Sequence, residues 1–343
     1  GIIHNLADLV AEQGDVERAM ELWNESLKLL EQIGDVQGSA ATRGNMAPVI
    51  AQQGDVERAM QLWNESLKLQ EQLGDVQGKG ATLHNMAGVI AQQGDVDRAM
   101  GLWNESLKLS EQIGDVQGKA ATLHEMAGVI AEHGDWDRAM ELWNESLKLK
   151  ERIGYVQGKA VTLANMAWAA RTKGDRKRER ELNLQAAAAL AQARAWLDLV
   201  TVLGNLGTSD DADGGSFLAQ ALWLILRVDA PLEHAVTIPA AFVRKVGPEA
   251  AAAPLAATYA TYLVQTRGKD HPKREELGKG AVNTLGACAE ARKVPSEKIL
   301  EWFKAERLGD PNHFIPRLRE ELEKLVPEDD WLFDRTLFKS SDS

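Results

Sequence analysis

Tryptophan returns every 40 residues through the first half of the chain, at Trp23, Trp63, Trp103 and Trp143. A Gly-Asp pair keeps the same interval, at Gly14-Asp15, Gly54-Asp55, Gly94-Asp95, Gly134-Asp135 and Gly174-Asp175. A fixed period of this length means stacked units, because one short supersecondary unit cannot bury its own apolar face and has to be covered by its neighbours. The chain therefore opens as a solenoid of nearly five repeats.

Each repeat holds two helical patterns. In DVERAMELWNESLKLLEQIG, the residues Val16, Met20, Trp23, Leu27 and Leu30 fall three or four apart and form one apolar stripe; Ala19, Leu22, Ser26, Leu29 and Ile33 form a second beside it. Two stripes predict a helix buried on two sides. The other helix, VQGKGATLHNMAGVIAQQ in the third repeat, puts Leu83, Met86, Ala87 and Ile90 on one face. Between helices the Gly accepts a left-handed turn and the Asp can cap the next helix. The run GDVQGK, at 74 and 114, has the outline of a phosphate-binding loop, but it has three residues between its glycines and no Ser or Thr after the lysine, so it reads as a helix-to-helix connection. Its lysine is expected to face water.

Asn85, Met86, Ala87, Ile90, Gly94-Asp95, Ala99 and Trp103 together resemble the tetratricopeptide repeat in a lengthened form of about 40 residues, recurring over residues 1–207. The chain departs from that family in having Leu83, Leu123 or Arg43 where an aromatic is usual, and in lacking the proline that often ends the second helix. The resemblance implies an all-α, right-handed superhelical α-solenoid that acts as a non-catalytic protein-interaction scaffold. It also implies that the first helix of each pair lines a groove for a protein or an extended peptide. That groove would then be lined by His4, Asp8 and Glu12; Gly44, Pro48 and Gln52; His84, Gly88 and Gln92; His124, Gly128 and Glu132; and Ala164, Trp168 and Thr172. Asn5, Asn45, Asn85 and Asn165 recur on the same face, with Glu125 replacing the fourth member of the row. An Asn amide both donates and accepts, so the row can serve a bound chain or bond neighbouring helices. Between residues 79–118 and 119–158, four of the differences (Asn85/Glu125, Gln92/Glu132, Gln93/His133, Val96/Trp136) cluster on the late half of the first helix and the turn after it. Groove positions that would clamp a terminal carboxylate carry Ala41, Ala81 and Ala121 in place of Lys or Arg.

The formal net charge of −12 argues against a general nucleic-acid surface. Basic residues concentrate in RTKGDRKRER, where Arg171, Lys173, Arg176 and Lys177 form a candidate anion-binding segment at the fifth second helix. His124-Glu125 with His133 lacks the spacing of a zinc-protease helix, and TSDDADGGS (208–216) lacks the rest of a calcium loop. No metal or cofactor is expected. The single Cys288 excludes an internal disulfide framework, which fits a reducing cytoplasm. No run of 18 apolar residues predicts a membrane span.

Beyond 208–216, read as a linker, the character changes: nine of ten prolines follow residue 230 and all eight methionines precede 170. Six helical patterns over 217–343 predict an all-helical cap domain. The tail WLFDRTLF, with Trp331, Phe333, Leu337 and Phe338, is too apolar to stay in water, so it is expected to dock on its own domain or on another copy of the chain. The open N-terminal repeat is a second candidate oligomer contact. The chain begins inside a helical pattern, as a fragment would, which leaves open an alternative: a regulatory or sensor module of a larger bacterial-type signalling or effector protein with an enzymatic domain upstream.

Overall fold

The repeat pattern becomes helices where the sequence places them in the computed structural model, which describes residues 2–209 and 211–341, the side chains of Glu12 and of residues 339–341 excepted. Asp210 of the acidic segment and the side chain of Glu12 in the expected groove lie outside the described residues. Seventeen α-helices and no strand occur among the described residues. Contacts divide the chain into Gly1–Tyr155 and Val156–Ser343.

The first unit is four helix pairs: α1 (Ile2–Glu12) with α2 (Val16–Ile33), α3 (Val36–Gln52) with α4 (Val56–Leu73), α5 (Val76–Gln92) with α6 (Val96–Ile113), and α7 (Val116–Glu132) with α8 (Trp136–Arg152). The Gly-Asp punctuation does what local chemistry requires. At the end of α2, Gly34 sits at φ 72°, a left-handed conformation that costs glycine nothing, and Asp35 N donates back to Leu30 O at 2.9 Å. Asp35 Oδ1 then accepts from Gly38 N at 2.8 Å and caps α3; Asp15 does the same for Arg18 N at 3.2 Å at the start of α2. The second glycine of GDVQGK is thereby explained: a Cβ at Gly78 or Gly118 would collide with the carboxylate of Asp75 or Asp115 that caps the helix.

The four tryptophans are the core of the stack, each at most 1% exposed. Trp23 and Trp63 pack in one continuous cluster with Ala7, Leu22, Met46, Ala47, Ile50, Ala59 and Met86, contributed by both helices of a pair and the first helices of the next. The second stripe of the tryptophan helix is only partly covered. Ala19, Leu22 and Ser26 are buried, but Leu29 and Ile33 remain 43% and 75% exposed.

The linker lysines do not simply face water. Lys79 Nζ bridges Glu71 at 2.9 Å and Glu105 at 3.2 Å, and Lys119 Nζ bridges Glu111 at 2.9 Å and Glu145 at 3.0 Å, tying one second helix to the next. Their carboxylate partners raise both lysine pKa values, hydrogen bonds to Glu71 and Glu111 being the largest causes. Ser39 replaces the lysine one repeat earlier, and Arg43 reaches the equivalent acids, Glu31 at 2.8 Å and Glu65 at 2.9 Å. The odd Arg43 is therefore a bridge rather than a core residue.

The second unit runs α9 (Val156–Thr172), α10 (Arg176–Ala193), α11 (Trp196–Gly207), α12 (Gly214–Ile225), α13 (Leu232–Val246), α14 (Ala252–Arg267), α15 (Arg274–Ala291), α16 (Ile299–Ala305) and α17 (Pro311–Leu325). The six C-terminal patterns are thus six helices. α12 and α14 are buried along almost their whole length, so they form the centre of this unit. Cys288 is fully buried on α15, and burial raises its thiol pKa.

The tail folds back on its own unit. Phe333 is 6% exposed, and with Trp331 and Phe338 it packs on Trp223 at centroid distances of 5.7, 5.5 and 5.5 Å; Phe338 also lies 4.9 Å from Trp196. Gln220, itself buried, fixes the tail backbone by donating to Asp330 O at 3.1 Å and accepting from Leu332 N at 2.9 Å. The aromatic residues considered as an oligomer contact are consumed inside the fold, leaving only Leu337 as an exposed large apolar residue of that tail.

Candidate functional site

Successive first helices approach each other directly, α1 to α3, α3 to α5 and α5 to α7, so their faces form one continuous strip on the first unit. Capping aspartates set where each helix starts, and the forty-residue period then puts equivalent residues at equivalent heights. Asn45 and Gln52 are exposed on α3, Asn85 and Gln92 on α5, and Glu125 and Glu132 on α7; Asn5 is exposed on α1. Gly88 and Gly128 lie between them, and a Cβ at either would meet nothing within 4 Å. The strip is open and lightly polar at its centre.

Histidines edge the strip and are half-buried rather than solvated. His84 Nδ1 pairs with Thr122 Oγ1 at 3.0 Å, as His4 Nδ1 does with Thr42 Oγ1 at 3.0 Å. Burial lowers the His84 pKa, and burial together with the nearby Lys150 charge lowers that of His124 to about 4. Both imidazoles are therefore neutral at pH 7. Lys150 stands where other repeats have Leu30, Gln70 and Ser110; it is 5% exposed, and burial lowers its pKa to about 8 against the opposing pull of Glu125. Glu125 is open on one side, yet partial desolvation of its carboxyl raises its pKa.

The His124 shift has a measurable sign. A base whose pKa falls on folding binds more protons in the unfolded chain, between about pH 4 and the unfolded value of 6.5, so stability drops as pH falls through that window and levels off below it. Thermal melts of the wild type and of His124→Asn should diverge between pH 7 and pH 4, the variant losing less. Parallel pH profiles would show that His124 is solvated.

The asparagine row is not uniform. Asn45 Nδ2 donates to Asp8 Oδ2 at 3.0 Å, and Asp8 Oδ1 accepts from Trp23 Nε1 at 2.8 Å, so in the first repeat the amide is spent inside the solenoid. Asn85 is exposed on the strip, facing no such carboxylate, because Pro48 stands where Asp8 stood. The later repeats all lack that aspartate, and Trp63, Trp103 and Trp143 each hold a buried Nε1 with no hydrogen-bond partner. Sequence reasoning placed these rings in the core and overlooked their N–H groups. The signal was available in the equivalence of Asp8 with Pro48, Gly88 and Gly128, each 15 residues before its tryptophan.

Asn165 and Trp168 belong to the second unit, on α9. Asn165 is half-buried there, and Trp168 is 50% exposed. Most of the basic segment is neutralised locally. Arg176 pairs with the buried Glu179 at 2.9 Å, Arg171 approaches the same carboxylate at 3.9 Å, Arg178 pairs with Glu181 at 3.3 Å, and Arg180 holds both Asp211 and Asp213. Lys173 and Lys177 are exposed. A cleft of about 190 Å³ lies among Arg171, Arg176, Arg180, Glu179 and Asp211, and its acids nearly balance its arginines. The acidic stretch read as a linker thus serves as the counter-charge of Arg180. No cluster of three or more His, Cys, Asp or Glu side chains among the described residues is arranged to hold a metal ion, and none of the described helices is long and apolar enough to cross a membrane.

Residues 78–152 match the family model described as tetratricopeptide repeat. No curated protein matches the chain. Among solved structures, BtubC (BKLC) from P. vanneervenii superposes with a TM-score of 0.50 at 20% identity, over 56% of this chain and 80% of that one. A Podosopora anserina putative kinesin light chain with nearly identical TPR-like repeats gives 0.46 at 19% identity, covering 56% and 95% of the two chains. A Rap protein complexed with Competence and Sporulation Factor gives 0.43 at 14% identity, covering 90% and 84%.

Proposed function

We propose that the first unit, in which residues 78–152 match the tetratricopeptide repeat model, a kind of repeat that typically serves as a protein-interaction module, is a non-catalytic scaffold that binds an extended segment of another protein along the strip of first helices. One observation carries the reading: the strip exposes Asn85, Gln92 and Glu132 beside glycines with open space over them, while the four tryptophans of the stack are buried. Polar side chains with both donors and acceptors can pair with successive peptide groups of an extended chain, and missing Cβ atoms let that chain come close.

The two asparagines separate binding from stability. Asn45→Ala removes a hydrogen bond to a partly buried carboxylate and should lower stability by about 0.5–1.5 kcal/mol. Asn85→Ala should change it by less than about 0.5 kcal/mol. Fluorescence anisotropy with mixed labelled dodecapeptides tests the binding: Asn85→Ala combined with Gln92→Ala should weaken capture severalfold, and a charge change on the opposite face, Lys108→Ala, should not. Equal binding by all three proteins would remove the strip from consideration.

A further inference from the structure

The tryptophan helices of the first four repeats open on one apolar stripe, and the fifth rewrites it. Val16, Ala19, Met20 and Trp23 recur as Val56, Ala59, Met60 and Trp63, as Val96, Ala99, Met100 and Trp103, and as Trp136, Ala139, Met140 and Trp143. Forty residues on, the same four places hold Arg176, Glu179, Arg180 and Asn183. Water does not explain the change, because Glu179 is only 6% exposed and Asn183 only 4%. Trp23 and Met46 pack in one cluster, as Trp63 and Met86 do; their counterparts in the fifth repeat, Asn183 and Leu206, instead border the cleft of about 190 Å³. An indole has been exchanged for an amide that makes no hydrogen bond to any described residue. That exchange loses ring packing and leaves a desolvated polar group unpaired, a double cost that an occupant of the cleft would offset.

The side chains that line the cleft say what the occupant carries. Arg176 holds Glu179 at 2.9 Å. Arg180 is fixed by Asp211 at 3.1 Å, by Asp213 and by the Phe217 ring. Arg171 approaches Glu179 only at 3.9 Å and stays half-exposed, so its planar fork of donors is the lining cation least engaged by protein. Three arginines stand against two acids, Glu179 and Asp211, among the described lining residues, which leaves one positive charge over. A monoanion suits that balance; a dianion such as phosphate would press a second negative charge against Glu179 and Asp211. Asn183 and Asn205 add two carboxamides, each able to donate and to accept.

We propose that the fifth helix pair and the start of the next form a binding site for a small carboxylate bearing a further polar group, with Arg171 on the carboxylate and the amides of Asn183 and Asn205 on its remaining polar atoms. The site lies wholly in the second unit and is independent of the strip on the first.

Glycolate and L-lactate, titrated into the isotope-labelled chain beside their neutral amides glycolamide and lactamide, test it through the side-chain NMR signals of Asn183 and Arg171. Both acids should move those signals to saturation and bind about tenfold tighter than the amides, as a charge-assisted contact implies. Asn183→Leu keeps the size and removes the unpaired amide, so it should melt above the wild type and bind the acids about fivefold more weakly. Arg171 is 52% exposed, so Arg171→Gln should fold as the wild type does and lose the preference for acid over amide. Acids and amides that bind alike, acids that leave the Asn183 signal unmoved, or an Arg171→Gln chain that keeps the preference would each overturn the site and leave the scaffold reading of the first unit standing.

Discussion

Trp103→Ala should cost the first unit about 3–5 kcal/mol, because it removes a large ring from a closely packed stack and leaves a cavity that two helix pairs cannot close. The ring is 1% exposed and lies at the same level as Trp63 and Trp143 in neighbouring repeats, so the loss should weaken the coupling of the third repeat to both neighbours. Chemical denaturation followed by circular dichroism reads the effect, and a loss below 1 kcal/mol would mean that the ring is not a core element. Phenylalanine sharpens the test. Trp23→Phe deprives Asp8 of a hydrogen bond, whereas Trp103→Phe removes a donor that has no acceptor, so the first change should be the costlier by about 1 kcal/mol.

Two glycine-to-alanine changes, ten residues apart in the same helix, should act with opposite signs. Alanine normally stabilises a helix interior by about 0.5–1 kcal/mol relative to glycine. At Gly128 the new Cβ meets nothing within 4 Å, so Gly128→Ala should gain that amount. At Gly118 it would run into the Asp115 carboxylate, which caps α7 by accepting from Gly118 N at 2.9 Å; losing the cap should cost about 1–2 kcal/mol. Thermal melts of the two variants should bracket the wild type. If Gly118→Ala were also stabilising, the cap would be immaterial and the glycine of GDVQGK would need another cause.

What the sequence made legible was whatever repeats. Period, cap chemistry and the tryptophan stripe follow from residues a few positions apart, and all appear in the helices of the first unit. The lysines of GDVQGK were misread because their partners, Glu105 and Glu145, lie on the next second helix, a distance that only the stacking fixes. Asn45 illustrates the same limit: its partner Asp8 is 37 residues earlier, and nothing local tells a spent amide from a free one. In the second unit the helices were readable from their apolar spacing, but the return of the tail onto Trp196 and Trp223 joins residues more than 100 positions apart and has no signature in the linear pattern.

The account depends on tryptophans sealed behind first helices whose amides look outward. Hydrogen exchange of side-chain N–H groups, followed by NMR with single substitutions for assignment, addresses both halves in one sample. The indole N–H groups of Trp63, Trp103 and Trp143 should exchange slowly, while the side-chain amide of Asn85 exchanges as fast as a free amide. Fast indole exchange, or a protected Asn85 amide in the absence of any partner, would contradict it.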